Sequence, residues 1–315
     1  MSASCDEDGA RMFARYAYAP NELGYCGPAD APRTLLTAGA AGAAGAAGAA
    51  GAAGAAGATG AAGTAGAAEA TGAASATGSA GAGGAGATEG DLRALARRFH
   101  GAWPYLRILA RLTGIDDPLD RRVVEAYWLG GGVSEAVDPR EFGAALLAVI
   151  GPQAGWYWRH LTPQILDEAA PNHCFHVFGV YPWSRLLDSP DPTGPLHVLD
   201  SCRIRWGQVT ERDSDHVVVR SAGLTWENGR LGLSGPRPLR AALVTGGVSF
   251  APDVRPGEWV ALHWDRVSSR LTDGQATTLR RDTVTQLELT NRRLARTREA
   301  GPAGEALTRQ VRDDA

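Results

Sequence analysis

From Ala38 to Gly90 the chain is almost pure alanine and glycine, with a glycine at every third position from Gly39 to Gly66. This is the feature that most restricts the fold. A collagen-like triple helix needs imino acids at the intervening positions, and the tract contains no proline. An α-helix would lose about 1 kcal/mol at each glycine. The alanines have little surface to bury, so no core can be built here. The expectation is a disordered linker over residues 38–90 that spans roughly 40 Å without fixing geometry. It separates an N-terminal segment, residues 1–37, from a body that begins at Asp91.

What remains is long enough for a real hydrophobic core. The formal net charge of the chain is −3, and every one of its 31 basic residues is arginine. A near-neutral chain offers no electrostatic grip on nucleic acid or an anionic membrane surface. No apolar run is long enough to span a bilayer. Met1 to Gly9 is acidic and lacks the apolar stretch of a secretory signal. The four cysteines, Cys5, Cys26, Cys174 and Cys202, are far apart and form no CxxC pair, which argues against a structural zinc site or a disulfide framework. The expectation is a cytoplasmic protein with reduced thiols.

Residues 91–170 carry helical signals. Leu92, Leu95, Phe99, Leu106 and Leu109 recur at helical spacing, with a break at Pro104. Asp117-Pro118, Asp138-Pro139 and Thr162-Pro163 each have the form of a cap followed by proline at the first helical position. Gly114, Gly130 and Gly151 are helix stops. From residue 171 to 271 the pattern turns to short strands: Phe175–Tyr181, Leu196–Leu199, Arg203–Val209, Val217–Arg220, Leu224–Trp226, Leu231–Leu233, Arg240–Val244 and Trp259–Trp264. Asn228-Gly229 predicts a tight hairpin turn. Thr272 to Gln275 has the form of a capping box that opens a helix over 272–296, with Leu279, Thr283, Leu287, Thr290 and Leu294 along one side. Residues 297–315 read as a disordered tail. The fold class is therefore α+β: a helical N-terminal domain, a small antiparallel OB-like β-barrel and a C-terminal helix.

No nucleophile elbow, P-loop or dinucleotide fingerprint is present, and nothing marks the chain as an enzyme. His173-Cys174-Phe175-His176 clusters imidazole and thiol donors. In a strand, however, positions three apart face opposite sides, so His173 and His176 share a metal only if the chain bends there. Cys26 sits in Asn21-Glu-Leu-Gly-Tyr-Cys-Gly-Pro28, a turn sequence that displays a thiol or simply buries it.

Cys202-Arg-Ile-Arg-Trp-Gly-Gln-Val209 reads as Cys, three residues, Trp, Gly, polar, Val, and Gly257-Glu-Trp-Val-Ala-Leu-His263 follows downstream. Together with His216-Val-Val-Val-Arg220 between them, and Leu271 and Gln275-Ala276 after them, this order resembles the HypC/HupF-type hydrogenase maturation chaperones. Those proteins have Cys, three residues, then Pro-Gly-Lys-Val, and later Gly-Asp-Tyr-Val-Leu-Val-His. The resemblance runs from Cys202 to about Arg296; Trp206 stands where the family has proline, and Cys202 is internal where the family cysteine is N-terminal. The whole chain, with NELGYCGP, HGAWPY and DPLDRRVVEAYW, also resembles an actinobacterial family associated with hydrogenase gene clusters.

The resemblance implies an OB-like barrel with a closing helix, and a role as an accessory protein in [NiFe] hydrogenase maturation. It implies transient binding of an iron-cyanide-carbonyl fragment through Cys202 and His263; Cys26, His173 and His176, outside the resemblance, are further candidate ligands by residue type alone. It implies as partners the hydrogenase large-subunit precursor, a HypD-type scaffold protein, or both, met through Trp206, Gly207, Val209 and Trp264. Thiolate and imidazole are suitable donors for such an iron. If Cys202, Ile204 and Trp206 share one strand face, Arg203 and Arg205 share the other, where they lower the thiol pKa or lie in solvent. Two other readings stay open: a structural or interaction subunit of an enzyme complex in which Cys202 and His263 are core, and an OB-like module that stacks single-stranded nucleic acid on Trp and Arg.

Overall fold

The computed structural model describes residues 8–40, 88–151 and 161–300. Helix α1 (Gly9–Glu22) starts at Asp8, whose carboxylate accepts from the Ala10 amide, and is buried over nearly its whole length. It packs against α2 (Pro32–Ala40), α3 (Glu89–Ala96) and α5 (Arg121–Leu129), and against the late strands of the sheet. The N-terminal segment is thus the centre of the helical half. Both ends of the alanine–glycine tract belong to helices. Ala38, Gly39 and Ala40 end α2, and Thr88 caps α3 with a capping box to Asp91. The rest of the expected linker, residues 41–87, lies outside the described residues.

Helices α4 (Trp103–Thr113) and α6 (Pro139–Ile150) complete this half. Pro104 opens α4 and Gly114 closes it in the left-handed conformation, as the sequence predicts. Asp138 caps α6. Asp117 does not cap a helix: it accepts from Leu119 N in a turn, and α5 begins four residues later behind Asp120.

Two expected strands are helical. His173–Phe175 forms one α-turn, α7, which runs on as a π-turn over His176–Val180. Leu196–Leu199 lies inside α8 (Thr193–Cys202). Residues 171–180 are all buried, so this turn has no solvent-facing side and shows neither a helical nor an alternating period.

The sheet residues run β1 (Arg205–Arg212), β2 (His216–Ser221), β3 (Leu224–Glu227), β4 (Arg230–Leu233), β5 (Arg237–Ala242), β6 (Val244–Thr245), β7 (Val248–Ser249), β8 (Trp259–His263) and β9 (Arg266–Leu271). Five of them close on themselves in the order β1-β2-β5-β9-β8, with β8 returning to β1. Val209, Val217, Val219, Val260, Leu262 and Val267 fill the interior. Asn228 and Gly229, both at positive φ, make the hairpin turn between β3 and β4.

Helix α9 (Asp273–Glu299) opens with the Thr272–Gln275 capping box and buries Leu279, Thr283, Leu287, Thr290 and Leu294. It runs past the expected end at 296 and joins the barrel strands to α7. Residues 301–315 lie outside the described residues. The fold is α+β with a long C-terminal helix, and no helix among the described residues is long and apolar enough to cross a membrane.

Candidate functional site

Alternation along β8 decides where His263 goes. Val260 and Leu262 point into the barrel, so Ala261 and His263 point out of it, toward the helical half. Cys202 ends α8 and does not begin a strand, which removes the expected shared face with Ile204 and Trp206. It still arrives beside His263. Arg205 pairs with Leu262, so the start of β1 lies against the end of β8, and Trp264 N donates to Ser201 O at 2.9 Å.

Between them and the helices lies a cavity of about 220 Å³. That exceeds the ~150 Å³ that holds a benzene-sized guest. Cys26, His173, His176, Cys202 and His263 all line it. Five candidate ligands scattered over the chain are therefore gathered on one cavity. Each of the three stretches singled out in the sequence contributes wall: Tyr25 and Cys26 from NELGYCGP, Gly101 and Ala102 from HGAWPY, Tyr127 and Trp128 from the end of α5. Among the described residues no Asp, Glu, Arg or Lys lines it.

The helical turn at residue 173 changes the histidine geometry. Three positions apart on a helix lie on one side, and the His173 and His176 rings stack with centroids 5.5 Å apart. The His263 ring is 5.5 Å from His173, edge to face. The expectation that His173 and His176 face opposite ways is corrected by this turn.

The imidazoles have different duties. His173 Nε2 donates to Cys202 O at 3.0 Å, since a carbonyl only accepts, and Nδ1 then accepts from the Tyr127 hydroxyl at 3.1 Å. Both nitrogens are occupied, so His173 is a support for the Cys202 backbone. His263 Nδ1 donates to Tyr16 O at 2.7 Å, which leaves the lone pair on Nε2. His176 Nδ1 is buried and meets no hydrogen-bonding partner. Gly101 lets this ring approach: a Cβ there would lie 3.2 Å from His176 Cε1.

Burial holds the cluster neutral. It pushes His176 down to about 3 and His263 to about 4, and drives His173 well below the usual imidazole value, with His176 and His263 adding to the effect. For His176 the neighbouring His263 acts the same way, while the Tyr16 and Cys202 carbonyls partly restore His263. Burial lifts both cavity thiols to about 12. Cys26 raises Cys202 further, and the Trp264 indole opposes this slightly.

The Cys26 turn is fastened from three sides. Asn21 Nδ2 donates to Cys26 O at 2.7 Å and to Pro28 O at 3.0 Å. The Pro20 carbonyl accepts from the Tyr25 and Cys26 amides. Gly27 has φ +77° and lies so close to Phe99 that a Cβ would overlap its ring. Tyr25 stacks on Trp264 at 4.0 Å between centroids. Trp264 and Asp265 form the two-residue turn between β8 and β9, both at positive φ. Such turns favour Asn-Gly, and a non-glycine residue there is strained by about 1–2 kcal/mol. The strained turn sets the indole over Tyr25.

Other expectations are corrected. Trp206, Gly207 and Val209 are buried and offer no surface to a partner, because β1 lies between the barrel interior and the helical core. Of the expected contact residues only Trp264 reaches the surface. Arg203 and Arg205 neither lie in solvent nor face the Cys202 thiol. Both are buried on Asp200, at 2.8 and 3.3 Å, and Arg203 acts on the Cys174 thiol. With Trp206 they offer no stacking platform for bases. Among the described residues no three His, Cys, Asp or Glu side chains converge to hold a metal ion.

Sequence reasoning missed His176 as the unpartnered member, and missed Asn21 and Trp128. The signal was there for Asn21, five residues before Cys26 in a turn-forming stretch. No curated protein and no solved structure matches the chain. Over residues 5–58 and 53–297 it matches a family of unknown function, DUF6390, and the chain belongs to that family.

Proposed function

We propose that the chain is a non-catalytic accessory protein of [NiFe] hydrogenase maturation, which holds an iron-cyanide-carbonyl fragment in the cavity as cargo. It would do so in the cytoplasm, and hand the fragment to the large-subunit precursor or exchange it with a HypD-type scaffold. One observation carries this reading: Cys202 and His263, the two residues on which the resemblance to HypC/HupF-type chaperones rests, wall the same cavity. The closed strand order followed by a helix is compatible with the OB-like barrel of those chaperones.

The donor chemistry fits a soft, low-valent iron. Two thiols and the neutral imidazoles of His176 and His263 are the soft and borderline donors of the lining, set among aromatic side chains. His173 and Tyr127 hold the Cys202 backbone in place, and Tyr16 orients His263. The cysteine has to lose its proton to bind, so affinity rises with pH.

The test is a host strain whose only copy carries Cys202→Ala. The expected result is hydrogenase activity reduced to background, with the variant present and folded. Normal activity would reject the role. A second reading, a structural subunit with an inert thiol, is favoured by the burial of Cys202 at 6 % exposure. Alkylation resolves the two: a Cys202 that reacts only on global unfolding supports the structural subunit.

A further inference from the structure

Cys26 is the cavity thiol that has no counterpart in the Cys202–His263 resemblance. It comes from a turn before the alanine–glycine tract, 176 positions from Cys202, yet both thiols line the cavity and both are free. The third described thiol, Cys174, lies in the other direction, 3.6 Å from Thr283 Oγ1. The turn that presents Cys26 is held by Asn21, by the Pro20 carbonyl and by the Tyr25–Trp264 stack, more fastening than an inert thiol needs.

The remaining donors restrict what such a pair could bind. Among the described residues no carboxylate lines the cavity, which disfavours hard cations that need oxygen ligands. His173 is fully occupied, and no three ligating side chains converge among the described residues. A bare ion that needs four protein donors is therefore poorly served. A metal centre that brings its own ligands needs only a few. The apolar walls and the unpartnered buried groups, Trp128 Nε1–H and His176 Nδ1, then meet those ligands rather than the metal.

We propose that Cys26 and Cys202 form a two-thiol site for a soft metal centre that arrives carrying its own ligands, with Asn21 as the positioning residue of Cys26. On binding, each thiol releases its proton to solvent and forms one sulfur–metal bond, and two exchangeable ligands leave the metal. Its oxidation state is unchanged. The proposal rests on the reading of the cavity as a cargo site, and adds that the N-terminal turn is half of it.

Cadmium(II) is the probe, added to the reduced full-length chain in a Cys5→Ser background and followed by sulfur-to-metal charge-transfer absorption and X-ray absorption. The expected result is one metal per chain with two sulfur scatterers and lighter exchangeable ligands. Cys26→Ser and Cys202→Ser each reduce the band to roughly half and leave one sulfur, and Cys174→Ser leaves it unchanged. Asn21→Ala keeps both sulfurs but weakens affinity by about tenfold, as loss of an orienting partner does. No binding, a spectrum indifferent to Cys26, or four sulfurs would overturn the proposal. If Cys202→Ala abolishes maturation while the spectrum ignores Cys26, this inference falls and the maturation role stands. If the two-sulfur spectrum appears but Cys202→Ala matures hydrogenase normally, the reverse holds.

Discussion

The barrel interior and the cavity wall lie a few residues apart along β8, and they are built on opposite principles. Val260 and Leu262 face a dry interior of valine, leucine and alanine side chains. One residue on, His263 faces the cavity, which it lines with His173, His176, the buried Cys202 and the half-buried Cys26. In its wall, two of the described buried polar atoms, Trp128 Nε1 and His176 Nδ1, have no hydrogen-bond partner. A folding core satisfies or excludes polar groups. A wall that leaves Trp128 Nε1 and His176 Nδ1 unmet differs from such a core, and the difference separates substitutions that should hurt folding from those that should hurt binding.

The largest expected effect is acid sensitivity, and it should map to the cavity. The three histidines are neutral in the folded chain and become protonated on unfolding near pH 6.5. Their folded pKa values are lowered, so below that pH the unfolded state binds more protons and stability falls. Each contributes about 1.4 kcal/mol per pH unit between 6.5 and its folded value, about 4 for His263 and about 3 for His176. Denaturant melts from pH 7 to 4 should show this slope. His176→Phe removes one proton's share of it without breaking a hydrogen bond at Nδ1; an unchanged slope would show that His176 is not buried neutral.

Next comes the barrel. Leu262→Ala should cost about 2–5 kcal/mol by leaving a void in the packed interior. Cys202→Ala, on the cavity side, should cost about 1 kcal/mol. Equal costs in chemical denaturation would erase the distinction between core and site. The smallest effect is at the rim. Tyr25 is 44 % exposed, so Tyr25→Ala should shift stability by less than about 1 kcal/mol. It should nevertheless speed alkylation of Cys26, because the stack on Trp264 is lost. An unchanged rate would mean that the turn does not depend on that stack.

Local chemistry was legible in the sequence and long-range assembly was not. The Thr272–Gln275 box and the Asn228-Gly229 turn act within four residues, and both form as read. Phe175–Tyr181 reads as a strand in sequence because a short segment buried on every side carries no period. That misreading also set His173 and His176 on opposite faces, when a helical turn stacks them. The Asp117-Pro118 cap failed because Asp120, three residues on, has the same capping chemistry and a better place. Cys26 and Cys202 reach one cavity only because α1 threads the helical half and β8 pairs with β1, which no local pattern encodes.

The central claim is that the cavity holds a ligand-bearing iron through Cys202. Infrared spectroscopy of the protein purified anaerobically from its native host tests it most directly. The account predicts cyanide and carbon monoxide stretching bands that are present in the unaltered protein and absent from Cys202→Ala. Bands that persist in the variant, or no bands in protein taken from cells that are actively maturing hydrogenase, would contradict it.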